Sequence, residues 1–176
     1  MLYFRTIFII ILIIFILISL YSCNYAAGRY AELIREYASK YDVKPSVVFA
    51  IADVESHFNP RAKSSAGAIG IMQIMPATGK WIANNLLLDD YQEDDLFKAD
   101  TNIRFGTWYL SYLFSVFEEE WQVFAAYNAG EGAVKEWIKE KTFQKEDIPY
   151  PETANYVKKV ERAQARYANK KIAAFN

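Results

Sequence analysis

The chain has 176 residues, a length that favours one compact domain. Its 20 Lys and Arg stand against 21 Asp and Glu, a net charge of −1, which removes any general electrostatic case for binding nucleic acid. One histidine and one cysteine exclude a structural zinc cluster and an intramolecular disulfide, and the pattern asks for no metal and no cofactor.

Residues 1–28 are a different kind of sequence. Arg5 is the one charge, Ile7 to Ile18 is an unbroken apolar run, and no further charge appears until Arg29. This is a signal sequence or membrane anchor rather than part of the globular fold. The uncharged stretch reaches the roughly 20 residues that a bilayer span needs. It ends in LISLYSC, which resembles the lipobox of bacterial lipoproteins, with Tyr21 an unusual occupant of its middle position. Three readings stay open: a lipoprotein with Cys23 as the lipidated residue, an uncleaved anchor helix ending in a buried Cys23 thiol, and a cleaved secretory signal. All three place the following domain at the extracytoplasmic face of the cell envelope, and the first two tether it to the membrane.

From residue 29 to 170 the pattern is mainly α, with 171–176 as a tail. Tyr30, Leu33, Ile34, Tyr37 and Tyr41 mark a first helix. Pro45 suits the first turn of a second. Val47, Ile51, Val54 and Phe58 give that helix one apolar stripe, and Asn59-Pro60 ends it. Residues 61–70 are a Ser/Ala/Gly loop, with room for a short β-hairpin within 61–75. A short helix starts near Pro76. The acidic run 89–95 lacks the glycine and ligand spacing of a calcium loop and reads as solvated surface or a helix cap. Asn102 to Phe117 is a strong helix, Trp121 to Trp137 is a pair broken at Asn128-Ala129-Gly130, 148–151 is extended, and Glu152 to Tyr167 is the last helix.

Glu55 stands on the second helix, one turn from Ile51, at the edge of the apolar stripe. Asp53 points about 160° away and cannot pair with it. A carboxyl group at an apolar edge is a candidate for a raised pKa and for general acid work. From helix geometry alone, a surface glutamate near a helix end is the plainer reading.

The residues that follow shift that balance. ESHFNPRAKSSAGAIGIMQIMP (55–76), AYNAGEGAV (126–134) and IPYPETANYVKKV (148–160) together resemble the three signatures of the soluble-type, goose-lysozyme-like peptidoglycan lytic transglycosylases. Ile71 stands where that family usually has leucine. The resemblance implies a lysozyme-like helical domain and peptidoglycan glycan strands as the partner. It implies cleavage of the MurNAc-β-1,4-GlcNAc bond without water, leaving a 1,6-anhydro end. Glu55 would serve as acid and then base, which explains why one carboxylate suffices. By the same resemblance Ser64, Gln73, Met75, Gly70 and Tyr127 bind substrate. Asn128 organises a turn, Glu152 supports the helix bearing Glu55, and Tyr156 packs beside it. Two alternatives remain: a lysozyme-type muramidase that uses water, and a non-catalytic peptidoglycan-binding envelope module.

Overall fold

The computed structural model describes residues 5, 7, 9–14, 27–140 and 142–169. Cys23 and the tail 171–176 lie outside the described residues. Residues 9–14 are helical, and their Ile and Leu side chains are exposed. Among the described residues, no helix is long and apolar enough to cross a membrane.

Among the described residues, seven helices carry the domain: α1 (Ala31–Lys40), α2 (Pro45–Ser56), α3 (Pro76–Asn85), α4 (Ala99–Val116), α5 (Glu120–Ala129), α6 (Glu131–Trp137) and α7 (Pro151–Asn169). Short 3-10 turns at Glu93–Phe97 and Lys145–Asp147 join them. The expected starts hold where proline sets them. Pro45 and Pro76 each occupy the first turn of a helix, where a missing N–H leaves nothing unpaired. The expected break between α5 and α6 falls at Gly130, whose φ of +90° an L side chain resists. The acidic run becomes a 3-10 turn with a reciprocal cap between Gln92 and Asp95. In place of a hairpin, the 61–75 loop holds two isolated antiparallel bridges, Lys63 with Ile69 and Ile69 with Ile74.

α2 differs from expectation in two ways. It ends before Asn59-Pro60, because His57 and Phe58 both take left-handed backbone, φ +52° and +62°. The Phe58 N–H then reaches back to the Ala52 carbonyl at 3.2 Å, closing the helix in the manner of a Schellman cap. It is also buried all round its first two turns: every residue from Val47 to Asp53 is at most 4 % exposed. It packs most heavily on α7 and also on α1. Phe49 stacks on Tyr167 of α7 with ring centroids 5.2 Å apart. Asp53, carried into the interior with them, is held by Arg166, by the Tyr167 hydroxyl at 3.1 Å and by His57 at 2.9 Å. A buried carboxylate persists only with partners of this kind. Asp53 therefore anchors α2 to α7 and plays no part on the side where Glu55 emerges.

Candidate active site

Glu55 sits in the last turn of α2, two residues before the left-handed break. Its side chain is half-buried and accepts a hydrogen bond of 2.6 Å from the Tyr156 hydroxyl on α7. Burial pushes the Glu55 carboxyl up from its ordinary 4.5 to about 7, against the smaller downward pull of the Tyr156 bond. Among the described residues, no second carboxylate bonds to it. The group is thus poised to hold or release a proton near neutrality.

Two tyrosines flank it in the neutral state. Burial and the Glu55 charge hold both Tyr127 and Tyr156 well above the ordinary phenol range. Tyr127, from α5, donates to the Met72 carbonyl at 2.9 Å. The link from α5 to the Met72 loop therefore passes through the same side chain that feels the Glu55 charge.

The loop after α2 is self-organised. Ser56, next to Glu55, donates to the Ile71 carbonyl at 2.7 Å and accepts from the Asn59 N–H at 3.0 Å. Ser64 accepts from the Ala68 N–H at 3.0 Å, an arrangement that leaves its own proton for a further acceptor. Gln73 has φ +49°, and its carboxamide donates to the Gly70 carbonyl at 2.9 Å, leaving its oxygen as an acceptor. Met75 is 41 % exposed, just ahead of α3.

Gly70 corrects one expectation. The resemblance implies a substrate-binding role, yet the missing side chain serves the protein's own packing. A Cβ there would lie 2.3 Å from Asn102 Nδ2 and 2.4 Å from the Leu96 carbonyl oxygen, so the space is taken by the protein itself. Asn102, fully buried on α4, is the residue that sequence reasoning missed. It accepts from the Met72 N–H at 2.7 Å and donates to the carbonyls of Ile69 at 2.9 Å and Leu96 at 2.8 Å. The signal was available: Asn102 lies on the stripe it shares with Gly106, Tyr109 and Leu113, and a polar residue on an apolar stripe needs buried partners.

The α7 residues divide differently from expectation. Glu152, expected to support α2, is exposed in the first turn of α7, and none of the described hydrogen bonds joins it to α2. Tyr156, one turn on, makes that contact. Asn128 accepts from Thr153 at 2.8 Å, tying the end of α5 to the start of α7. Tyr156→Phe removes the one bond that favours the charged Glu55. The carboxyl pKa should then rise further, moving the alkaline limb of any pH–rate profile upward. The rate at neutral pH should fall about tenfold through lost positioning. An unmoved limb counts against this geometry.

A mainly helical, lysozyme-like fold holding one protonatable glutamate over a Gly-Ile-Met-Gln loop defines the class. The chain belongs to the Transglycosylase SLT domain family, whose pattern matches residues 32–149. It is 38% identical over 147 residues to the soluble lytic murein transglycosylase of Salmonella typhimurium, covering 78% of this chain and 23% of that one. It is 32% identical over 171 residues to membrane-bound lytic murein transglycosylase C of Actinobacillus pleuropneumoniae, covering 80% of this chain and 46% of that one. The 70 kDa soluble lytic transglycosylase of Escherichia coli superposes with a TM-score of 0.74 at 37% identity, over 78% of this chain and 24% of that one. An inactive glutamate-to-glutamine mutant of lytic transglycosylase Slt from Pseudomonas aeruginosa superposes at 0.75 and 33% identity, over 80% of this chain and 24% of that one. The chain thus spans about a quarter of the length of the soluble relatives it matches.

Proposed function

We propose that this chain is a peptidoglycan lytic transglycosylase that cuts the MurNAc-β-1,4-GlcNAc bond and leaves a 1,6-anhydro-MurNAc end. The observation that carries the proposal is a single half-buried glutamate with a pKa of about 7, bonded to a neutral tyrosine. Protonated Glu55 gives its proton to the glycosidic oxygen as the bond to the anomeric carbon breaks. The resulting carboxylate takes the proton of the muramic C6 hydroxyl as its oxygen bonds that carbon. One group gives a proton and receives one, so the glutamate ends as it began. The attacking hydroxyl is already part of the sugar, so no second carboxylate is needed to activate water.

The other residues take supporting parts. Tyr156 orients the Glu55 carboxyl, and Tyr127 presents a neutral phenol beside the reacting centre. Ser64 offers its free proton, Gln73 offers its carboxamide oxygen to an acetamido or hydroxyl group, and Met75 offers an apolar face. Gly70 shapes the loop from behind, and Asn128, through Thr153, serves the α5–α7 junction. The relatives' names support murein as the substrate, and the inactive glutamine mutant supports a glutamate at the centre. Residues 1–28 tether the domain to the outer side of the cytoplasmic membrane, a reading that the membrane-bound relative favours.

The test is the mass of the products released from intact sacculi by the purified chain. Muropeptides lighter by one water than their reducing-end counterparts are expected. Products carrying the full water mass would assign the chain to the lysozyme-type muramidases, and no release at all would leave a glycan-binding module.

A further inference from the structure

A run of packed aromatic rings leads away from Tyr127, the tyrosine that feels the Glu55 charge. Tyr109 packs on Tyr127 with ring centroids 5.6 Å apart. Tyr109 stacks on Tyr112 at 6.2 Å and 14°, and Tyr112 on Trp108 at 6.1 Å and 7°. These three rings share one face of α4, at spacings of three and four residues. Trp81 of α3 meets Trp108, Tyr112 and Tyr109 edge-on, at 5.3, 5.0 and 6.2 Å. The α4 rings are half-buried, whereas Trp81 is 38 % exposed and forms the open end of the row.

The row has the two properties a sugar ring selects for. Its faces are flat and apolar, matching the C–H face of a pyranose, and its rim is polar. Tyr112 donates to Glu131 at 2.9 Å, and Glu131 is paired with Lys135. The rings brace one another, so little freedom is lost when a ligand stacks on them. Two ring-to-ring steps, of 5.6 and 6.2 Å, separate Trp81 from Tyr127, which feels the Glu55 charge, about the reach of a disaccharide.

We propose that Trp81 is a sugar-stacking subsite for a β-1,4-linked N-acetylhexosamine strand, reached over Tyr109 and remote from the bond that is cut. This rests on the glycan-cleaving reading above and deepens it: the chain selects long strands over short fragments.

The test uses the full chain carrying Glu55→Gln, so that ligand is not consumed, and N-acetylglucosamine oligomers of graded length, followed by calorimetry and tryptophan emission. Adding Trp81→Ala should weaken the longest oligomers roughly tenfold and the shortest hardly at all. An equal loss at every length, or none at any length, overturns the subsite. Trp81→Phe keeps a ring on α3 should the alanine variant fail to fold. It should shrink the emission shift that saturating long oligomer induces in the parent, leaving the part reported by Trp108, and a shift of unchanged size overturns the subsite too. Failure of the Glu55→Gln parent to bind any oligomer would instead sink the glycan-cleaving reading, and the subsite with it.

Discussion

Glu55→Gln should slow the release of soluble muropeptides from intact sacculi by at least about 10³-fold, because one side chain carries both proton transfers. Glutamine keeps the shape of the acid and can still accept from Tyr156, so the fold should persist, as a circular dichroism spectrum would register. The native chain should lose activity as pH rises through about 7, where Glu55 gives up the proton it needs for the first step. Stability carries a second signature. The folded chain keeps this proton up to about pH 7, whereas the unfolded chain releases it near its ordinary 4.5. The folded state therefore binds more protons between those values, and native stability falls as pH rises across that window, then levels off. Glutamine carries no such penalty. The variant should be more stable than the native chain at about pH 8, by at most about 3 kcal/mol, and so melt higher there, and should be level with it at about pH 4. A variant that releases muropeptides at the native rate, or shows no pH-dependent gain in melting temperature, would contradict the role assigned to Glu55.

Asn102→Ala should lower the unfolding free energy by about 3–5 kcal/mol, read from the urea midpoint. The change removes three hydrogen bonds at once and strands the Met72 N–H and the Ile69 and Leu96 carbonyls in a buried site. The loss does not stop at stability. Met72 supplies the carbonyl that receives the Tyr127 proton, and Gln73 is the next residue. Loosening this loop should therefore reduce turnover in the fraction that stays folded. Asn102→Asp is the sharper control. It retains an acceptor for Met72 but sets a carboxylate against two carbonyl oxygens, so it should be nearly as damaging. A loss under about 1 kcal/mol in both variants would show that the loop holds without Asn102.

Local chemistry made much of this architecture legible in the sequence. Pro45, Pro76 and Gly130 act on their own backbone, so the boundaries they set could be placed without knowledge of the fold. The 55–76 stretch is likewise compact, and its turns are closed by residues a few positions apart, as with Ser64 and Ala68. The misses have the opposite character. α2 reads as one-sided because periodicity reports composition along a helix and not how many elements cover it. Tyr156 and Glu152 stand one turn apart on α7, and spacing does not tell which of them meets a helix 101 residues away. Asn102 reaches loop residues up to 33 positions back, and Gly70 makes sense only once that carboxamide is in place.

The Tyr156–Glu55 bond also ties the acid to a helix that lies beyond the family pattern. The family pattern ends at residue 149, so a chain stopped there would still contain Glu55 and the 55–76 segment. It would lack the tyrosine that orients the acid, and with it the helix that covers α2. During synthesis the last part of the machinery to emerge is thus the part that steadies the proton donor. Loss of α7 would therefore leave Glu55 in the chain but without the hydroxyl that holds its carboxyl.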